Sequence, residues 1–251
     1  MWQFNRDPAS TESVLVQKCE RFYPREMSTY GQFCPVAMAS EVLTERWTPL
    51  VVRELLCGST RFNDLRRGVP LMSPSLLSKR LKTLERVGVV ERDGSDYRLT
   101  RAGEELRPLI EAMGVWGQRW SRGDVEAKHY DASLLMWDIH RNIVADRLPA
   151  GRTVVHFHLA GSSDRKSHFW LVLDGGGADV CLTDPGHEVD LTVQAHIRTM
   201  VDYWLGHTDF AHAVRQGELT IVGPPRLVRA LPTWFRRSLF ATVELPAAAA
   251  G

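Results

Sequence analysis

Ser75, Lys79, Lys82 and Arg86 recur at i, i+4, i+7 and i+11, the spacing that gathers side chains on one side of an α-helix. Ser78 and Thr83 flank them, so the stripe holds three cations, three hydroxyls and no acid. Leu77, Leu81 and Leu84 repeat on the opposite side, as a core-facing edge would. Ser73 followed by Pro74 is a strong start, a capping hydroxyl and then proline in the first turn. A helix of this width fits the major groove of duplex DNA, where cations and hydroxyls meet phosphates and base edges. An ordinary solvated helix is the alternative, although such faces usually mix signs. Arg61 upstream and Arg92 and Arg98 downstream complete the candidate contact set: Arg61, Ser73, Ser75, Ser78, Lys79, Lys82, Thr83, Arg86, Arg92 and Arg98.

Other chemistry is sparser. Cys34 precedes Pro35 at a helix start, where the helix dipole favours a thiolate; a redox-responsive thiol and an inert packing cysteine are the two readings. His156 and His158 lie two apart on a strand and His168 opens the next, so zinc ligation and a merely polar strand face both stand. No GxSxG, HExxH, P-loop or GxGxxG arrangement occurs, and Gly175–Gly177 is a hairpin loop with no helix directly after it. Catalytic residues, resident metal and cofactor are therefore all expected to be none.

The elements that must position these residues can be read in order. Ser10–Phe22 has a helical pattern inside a peripheral arm, residues 1–33, expected to be loosely ordered. Val36, Met38, Ala39, Val42 and Leu43 predict a first helix. Thr48 predicts the cap of a second, with Pro49 in its first turn and Gly58 after its end. A short third helix runs from about Phe62 to Arg67, and the cationic helix from Ser73 to Val87. Val89–Arg92 and Tyr97–Thr100 read as a hairpin around Asp93–Asp96. Thr100 then caps a helix expected to reach Trp120 or Arg122, with Gly103, Gly114 and Gly117 as its weak points. After a linker at 123–130 come a helix at Ala132–Asp146 and a β-meander, Thr153–Leu159, His168–Leu173 and Ala178–Thr183. A short strand at Leu191–Val193, helices at His196–Leu205 and Asp209–Gln216, a strand at Glu218–Val222 and a last helix at Pro225–Phe235 follow, then an alanine tail expected to fray.

Composition agrees with two domains. Residues 1–123 carry 19 Lys and Arg against 15 Asp and Glu, whereas residues 124–251 carry 12 against 15 and hold all nine histidines. Between Arg53 and Arg101 there are 11 basic and 6 acidic residues, a modest local excess of the sign that a polyanion requires. The polar Met1–Ser10 stretch lacks a secretory core, no apolar run approaches the ~20 residues that span a bilayer, and the four cysteines lack CxxC spacing. A cytoplasmic location with no membrane partner is the expectation.

Cys34-Pro35, Trp47, Arg61-Phe62-Asn63-Asp64-Leu65, Ser73–Leu84 and Tyr97–Leu106, in this order, resemble the HxlR-type branch of MarR-like winged helix-turn-helix regulators. The resemblance spans about 90 residues and departs at the wing, which is shorter here. It implies a DNA-binding transcription regulator, a homodimer on a pseudo-palindromic operator of double-stranded DNA, and a matching cysteine that senses oxidants in some members. The first helix and Thr100–Arg122 would form the dimer surface, with Leu106, Leu109, Ile110, Met113, Trp116 and Trp120 supplying apolar area; an intramolecular core is the alternative for them. Val189–Val193 and Phe210–Gly223 resemble the sterol-carrier-protein-like α+β fold, which implies an apolar tunnel for a small hydrophobic ligand. Phe157, Phe169, Trp204, Phe210, Trp234 and Phe235 are the candidate pocket residues, a solid core being the other reading. The expected fold class is thus α+β: a mostly helical winged helix-turn-helix with a β-hairpin wing at 34–122, then a sterol-carrier-like domain at 131–245. A metal-dependent enzyme, or a lipid-binding module, that uses the winged helix only to dimerise is the alternative function.

Overall fold

The computed structural model describes residues 29–121, 126–162, 166–175 and 177–245. The Ser10–Phe22 helix and the alanine tail after Leu245 fall outside these residues. The chain divides into two compact units, Met1–Arg66 with Leu71–Arg107 and Arg67–Pro70 with Pro108–Gly251.

The first unit opens with Thr29 and Tyr30, whose hydroxyl and backbone N–H both donate to Glu41 Oε1 at 2.7 Å. Helices α1 (Pro35–Leu43) and α2 (Thr48–Leu56) are joined by a tight turn in which Thr48 N donates to Glu45 O at 2.9 Å. That turn forces Trp47 to a left-handed φ of 78° and makes Trp47, not Thr48, the N-cap residue of α2. Thr48 is already helical and buried, so the expected cap shifts by one. Such a conformation is costly for a bulky residue; here the Arg46 guanidinium lies 5.4 Å from the Trp47 ring centroid.

Helix α3 (Phe62–Gly68) and helix α4 (Pro74–Arg86) follow. Ser73 Oγ caps α4 by accepting from Leu76 N at 3.3 Å. Strands β1 (Val90–Asp93) and β2 (Asp96–Leu99) pair antiparallel with Val90 opposite Leu99, leaving the two-residue tip Gly94-Ser95. Tyr97 N donates to Thr60 O at 2.8 Å, which ties the hairpin to the approach to α3.

Thr100 caps only a single turn, α5 (Arg101–Glu104), and a new helix, α6, runs Arg107–Trp120. The single long helix expected from Thr100 is therefore two. The break falls at Glu105-Leu106 and not at a glycine, because Pro108 has no N–H to give Glu104 and is tolerated only in a first turn.

In the second unit, α7 (Ala132–Arg141) precedes a five-stranded mixed sheet of β3 (Thr153–Ala160), β4 (His168–Asp174), β5 (Gly177–Cys181), β6 (Leu191–His196) and β7 (Leu219–Val222). The strand order is β5-β4-β3-β6-β7. The meander β3–β4–β5 is antiparallel, β6 adds parallel to β3, and β7 closes antiparallel to β6. Helices α8 (Ile197–Trp204) and α9 (Phe210–Arg215) connect β6 to β7, and α10 (Pro225–Ala230) follows. Alternation sends Val155, Phe157 and Leu159, Phe169, Leu171 and Leu173, and Leu191 and Val193 into one core with Leu135, Met136, Ile139, Met200 and Trp234.

Two helices are shorter than their patterns predict. Helix α7 stops at Arg141 instead of Asp146, because Val144 N leaves the helix to donate to Trp234 O at 2.7 Å. Helix α10 stops at Ala230 instead of Phe235; Leu231–Thr233 is a 3-10 turn containing Pro232, which cannot donate to a helical ladder.

Candidate nucleic-acid interface

Helix α4 separates its two sides sharply. Leu77, Leu81 and Leu84 are at most 1% exposed and pack into the first unit's core with Val51, Leu65 and Val87. Ser75, Lys79, Lys82 and Arg86 are exposed on the other side, and Ser78 and Thr83 are half-buried at its edges. Lys79 and Lys82 carry no ion pair among the described residues. Thr83 Oγ1 donates back to Lys79 O at 3.1 Å, and Ser73 Oγ is occupied by its cap and by Ser75 Oγ at 3.2 Å.

Arg80 escaped the sequence-based contact set and has a different task. It lies at i+3 from Leu77 and i−4 from Leu84, on the inner edge of α4. Its Nη2 is 2.5 Å from Glu45 Oε2, and its Nε donates to Arg46 O at 3.2 Å. This fork fixes α4 against the α1–α2 turn. The spacing relative to the leucines was the available signal.

The flanking cations are engaged within their own unit. Arg98 Nη2 lies 3.3 Å from Asp93 Oδ2, and Arg61 Nε lies 3.9 Å from Asp96 Oδ1. Arg92 Nε donates to Gly94 O at 3.0 Å while its guanidinium lies 5.5 Å from the Tyr97 ring centroid. The structure therefore brings the α4 residues together on one exposed face, whereas Arg61 and Arg98 sit around the hairpin beside acids and Arg92 beside Gly94 and Tyr97.

Cys34 is the N-cap residue of α1 and is half-buried. The backbone N–H groups of Ala37 first, and Val36 second, hold its thiol below the ordinary cysteine range, although its sulfur makes no capping bond of standard length.

Residues 42–124 match the family model described as HxlR-like helix-turn-helix. An uncharacterized HTH-type transcriptional regulator of Bacillus subtilis strain 168, YvaP, is 37% identical over 98 residues, which cover 36% of this chain and 91% of that one. The chain belongs to the HxlR-like helix-turn-helix family.

An uncharacterized HTH-type transcriptional regulator of Synechocystis sp. is 33% identical to this HxlR-like chain over 112 residues, 42% of this chain and 80% of the relative. The solved structure of quinone-bound YodB from B. subtilis is 34% identical, covers 34% of this chain and 96% of its own, and has a TM-score of 0.32. The HxlR-like protein is an HTH-type transcription regulator. A second model, the SCP-2 sterol transfer family, matches residues 140–236.

In that second region Phe157, Phe169, Trp204, Phe210, Trp234 and Phe235 are all buried members of one core. His156, His158 and His168 do meet: His156 Nε2 lies 3.0 Å from His168 Nδ1, and the His158 and His168 rings stack at 4.5 Å. Among the described residues no group of three His, Cys, Asp or Glu side chains is arranged to hold a metal. Nor, among them, is any helix long and apolar enough to cross a membrane.

Proposed function

We propose that this HxlR-like regulator acts as a homodimer, placing the two copies of α4 in successive major grooves of a pseudo-palindromic operator, and that an apolar small molecule held by the second unit tunes that binding. The observation that carries the reading is the solvent-exposed cationic face of Ser75, Lys79, Lys82 and Arg86 on a helix anchored by three buried leucines. Symmetric dimers read symmetric sites, so half-sites one helical turn apart follow from the symmetry. Leu109, Met113, Trp116 and Trp120 repeat at i, i+4, i+7 and i+11 along α6 and are exposed, an apolar seam suited to a second copy. Ser73, Ser78, Thr83 and the hairpin arginines contribute at the margins, Arg92 and Arg98 by exchanging their present partners for phosphates.

The ligand assignment draws on the SCP-2 match and on the aromatic core of Phe157, Phe169, Trp204, Phe210, Trp234 and Phe235. The regulator works in the cytoplasm and is not itself an enzyme. Cys34 supplies a second input as an oxidant- or electrophile-sensitive thiol, a role supported by its N-cap position.

Binding to double-stranded fragments from upstream of its own gene, at two salt concentrations, tests the reading. Affinity is expected to fall by about 10- to 1,000-fold between ~50 and ~200 mM salt as condensed counterions are released from a handful of phosphates. Absence of salt-sensitive binding to any such fragment would leave the lipid-binding alternative, with the winged helix serving dimerisation alone.

A further inference from the structure

Helix α6 has two faces of opposite character. Its apolar stripe, Leu109, Met113, Trp116 and Trp120, is 44 to 62% exposed. Its other face packs within the second unit, to which α6 belongs from Pro108 onward. Buried Gln118 donates through Nε2 to Leu205 O at 3.2 Å, and the same nitrogen lies 2.8 Å from His207 Nε2. One amide nitrogen serves both contacts, so His207 Nε2 is the acceptor and its proton sits on Nδ1, 3.3 Å from Asp202 Oδ1. One turn earlier a Cβ at Gly114 would collide with the Phe240 ring, so only glycine permits that approach. Arg119 Nε donates to Glu244 O at 3.2 Å.

These grips converge on one corner. Leu205–Asp209 joins α8 to α9, with Tyr203 and Trp204 before it and Phe210 after it. Tyr203 and Phe210 meet edge-on with ring centroids 4.2 Å apart, and Phe235 lies 6.1 and 6.3 Å from them. Ser238 N donates to Trp204 O at 3.1 Å, so the segment that carries Phe240 hangs from the same corner. Gly206, at φ +84°, faces the Ala241 carbonyl so closely that a Cβ would collide with it. Two routes therefore lead from the aromatic cluster to α6, one directly through Gln118 and one through Phe240 to Gly114.

We propose that α6 is the coupling element through which an apolar ligand in the second unit changes operator affinity, and that the Gln118–His207 contact is its latch. The inference rests on reading the second unit as an apolar-ligand domain. A ligand lodged among Trp204, Phe210 and Phe235 must displace packed rings, and a core at crystal-like density cannot absorb that locally. The corner moves. Gln118 then either follows, carrying α6, or loses both contacts and leaves a buried amide unpaired. Helix α6 begins two residues after the last turn of the winged helix, and its outer stripe is the dimer seam proposed above, so a displaced α6 resets the spacing of the two α4 helices. Coupling requires only that the ligand favour one position of α6 over the other.

The test uses the full chain, a pyrene-labelled dodecanoic acid as probe, and a promoter fragment that the wild type binds. The probe is expected to change wild-type operator affinity by about 5- to 100-fold. Gln118→Ala, and the near-isosteric Gln118→Met should alanine prove unstable, are expected to bind probe and DNA separately within about twofold of wild type while the probe-induced change collapses below about threefold. Hydrogen exchange in α6, raised by the probe in the wild type, should already be raised in these variants. Variants that keep the full wild-type change overturn the latch. So does loss of probe binding by Gln118→Met, which would make Gln118 part of the ligand site. A wild type that binds DNA but shows no change on adding probe overturns the ligand reading as well, and does so without any variant.

Discussion

Arg80 Nη2 lies 2.5 Å from Glu45 Oε2, joining α4 to the turn between α1 and α2. Arg80 is nearly buried and Glu45 half exposed, so the pair is screened only on its outer side. Arg80→Met is expected to lower the stability of the winged helix by about 0.5–1 kcal/mol and operator affinity by several-fold, through loss of α4 orientation. Glu45→Gln should reproduce most of the effect, and the double variant should cost little more than either single one. Thermal unfolding and DNA binding on the four-member cycle check this; additive losses would show that the two side chains act separately.

The exposed α6 stripe is expected to be an interface. Met113→Glu with Trp116→Glu places charge in its middle and should convert dimer to monomer in sedimentation at micromolar protein, while each unit retains its far-UV spectrum. Operator affinity should fall with it, since a monomer engages one half-site only. An unchanged dimer would move the seam elsewhere, with α1 the next surface to test.

Acid should weaken the second unit. Desolvation first, then His168 and His158, hold the His156 imidazole below its ordinary value of 6.5, against an opposing pull from Asp184. Trp170 stacks on the same ring at 4.8 Å. A histidine lowered in the fold binds protons more weakly than in the unfolded chain. Its stability contribution is therefore present above pH 6.5 and is lost as pH falls through that value toward the folded pKa. Thermal unfolding of the second unit should decline between pH 7.5 and 5.5, and His156→Gln should flatten the decline. An equally steep profile in that variant would assign it to other groups.

Much of this arrangement is legible in the sequence. The leucine and lysine stripes of α4 obey one helical period, and the alternation of Phe157, Leu159, Phe169 and Leu171 marks the buried side of the sheet. The parts that stayed hidden are non-local. Trp47 adopts its left-handed turn because of where α1 and α2 must meet, and α7 ends early because Val144 finds Trp234, 90 positions away. Gln118 reads as one more polar helix residue until Leu205 and His207 are brought to it. Pro108 and Pro232, by contrast, announced two helix breaks that a reading by apolar periodicity passed over.

The most direct test of the central claim is the salt dependence of operator binding by the Lys79→Ala, Lys82→Ala double variant. Both side chains are exposed and neither pairs with an acid among the described residues, so stability should stay within about 0.5 kcal/mol of wild type. Affinity should drop by at least about tenfold at ~100 mM salt, and the slope of log K against log salt should become shallower by about 1.8 per protomer, two lost phosphate or groove contacts at ~0.9 each. A folded double variant with the wild-type affinity and slope would contradict the assignment of α4 as the helix that enters DNA.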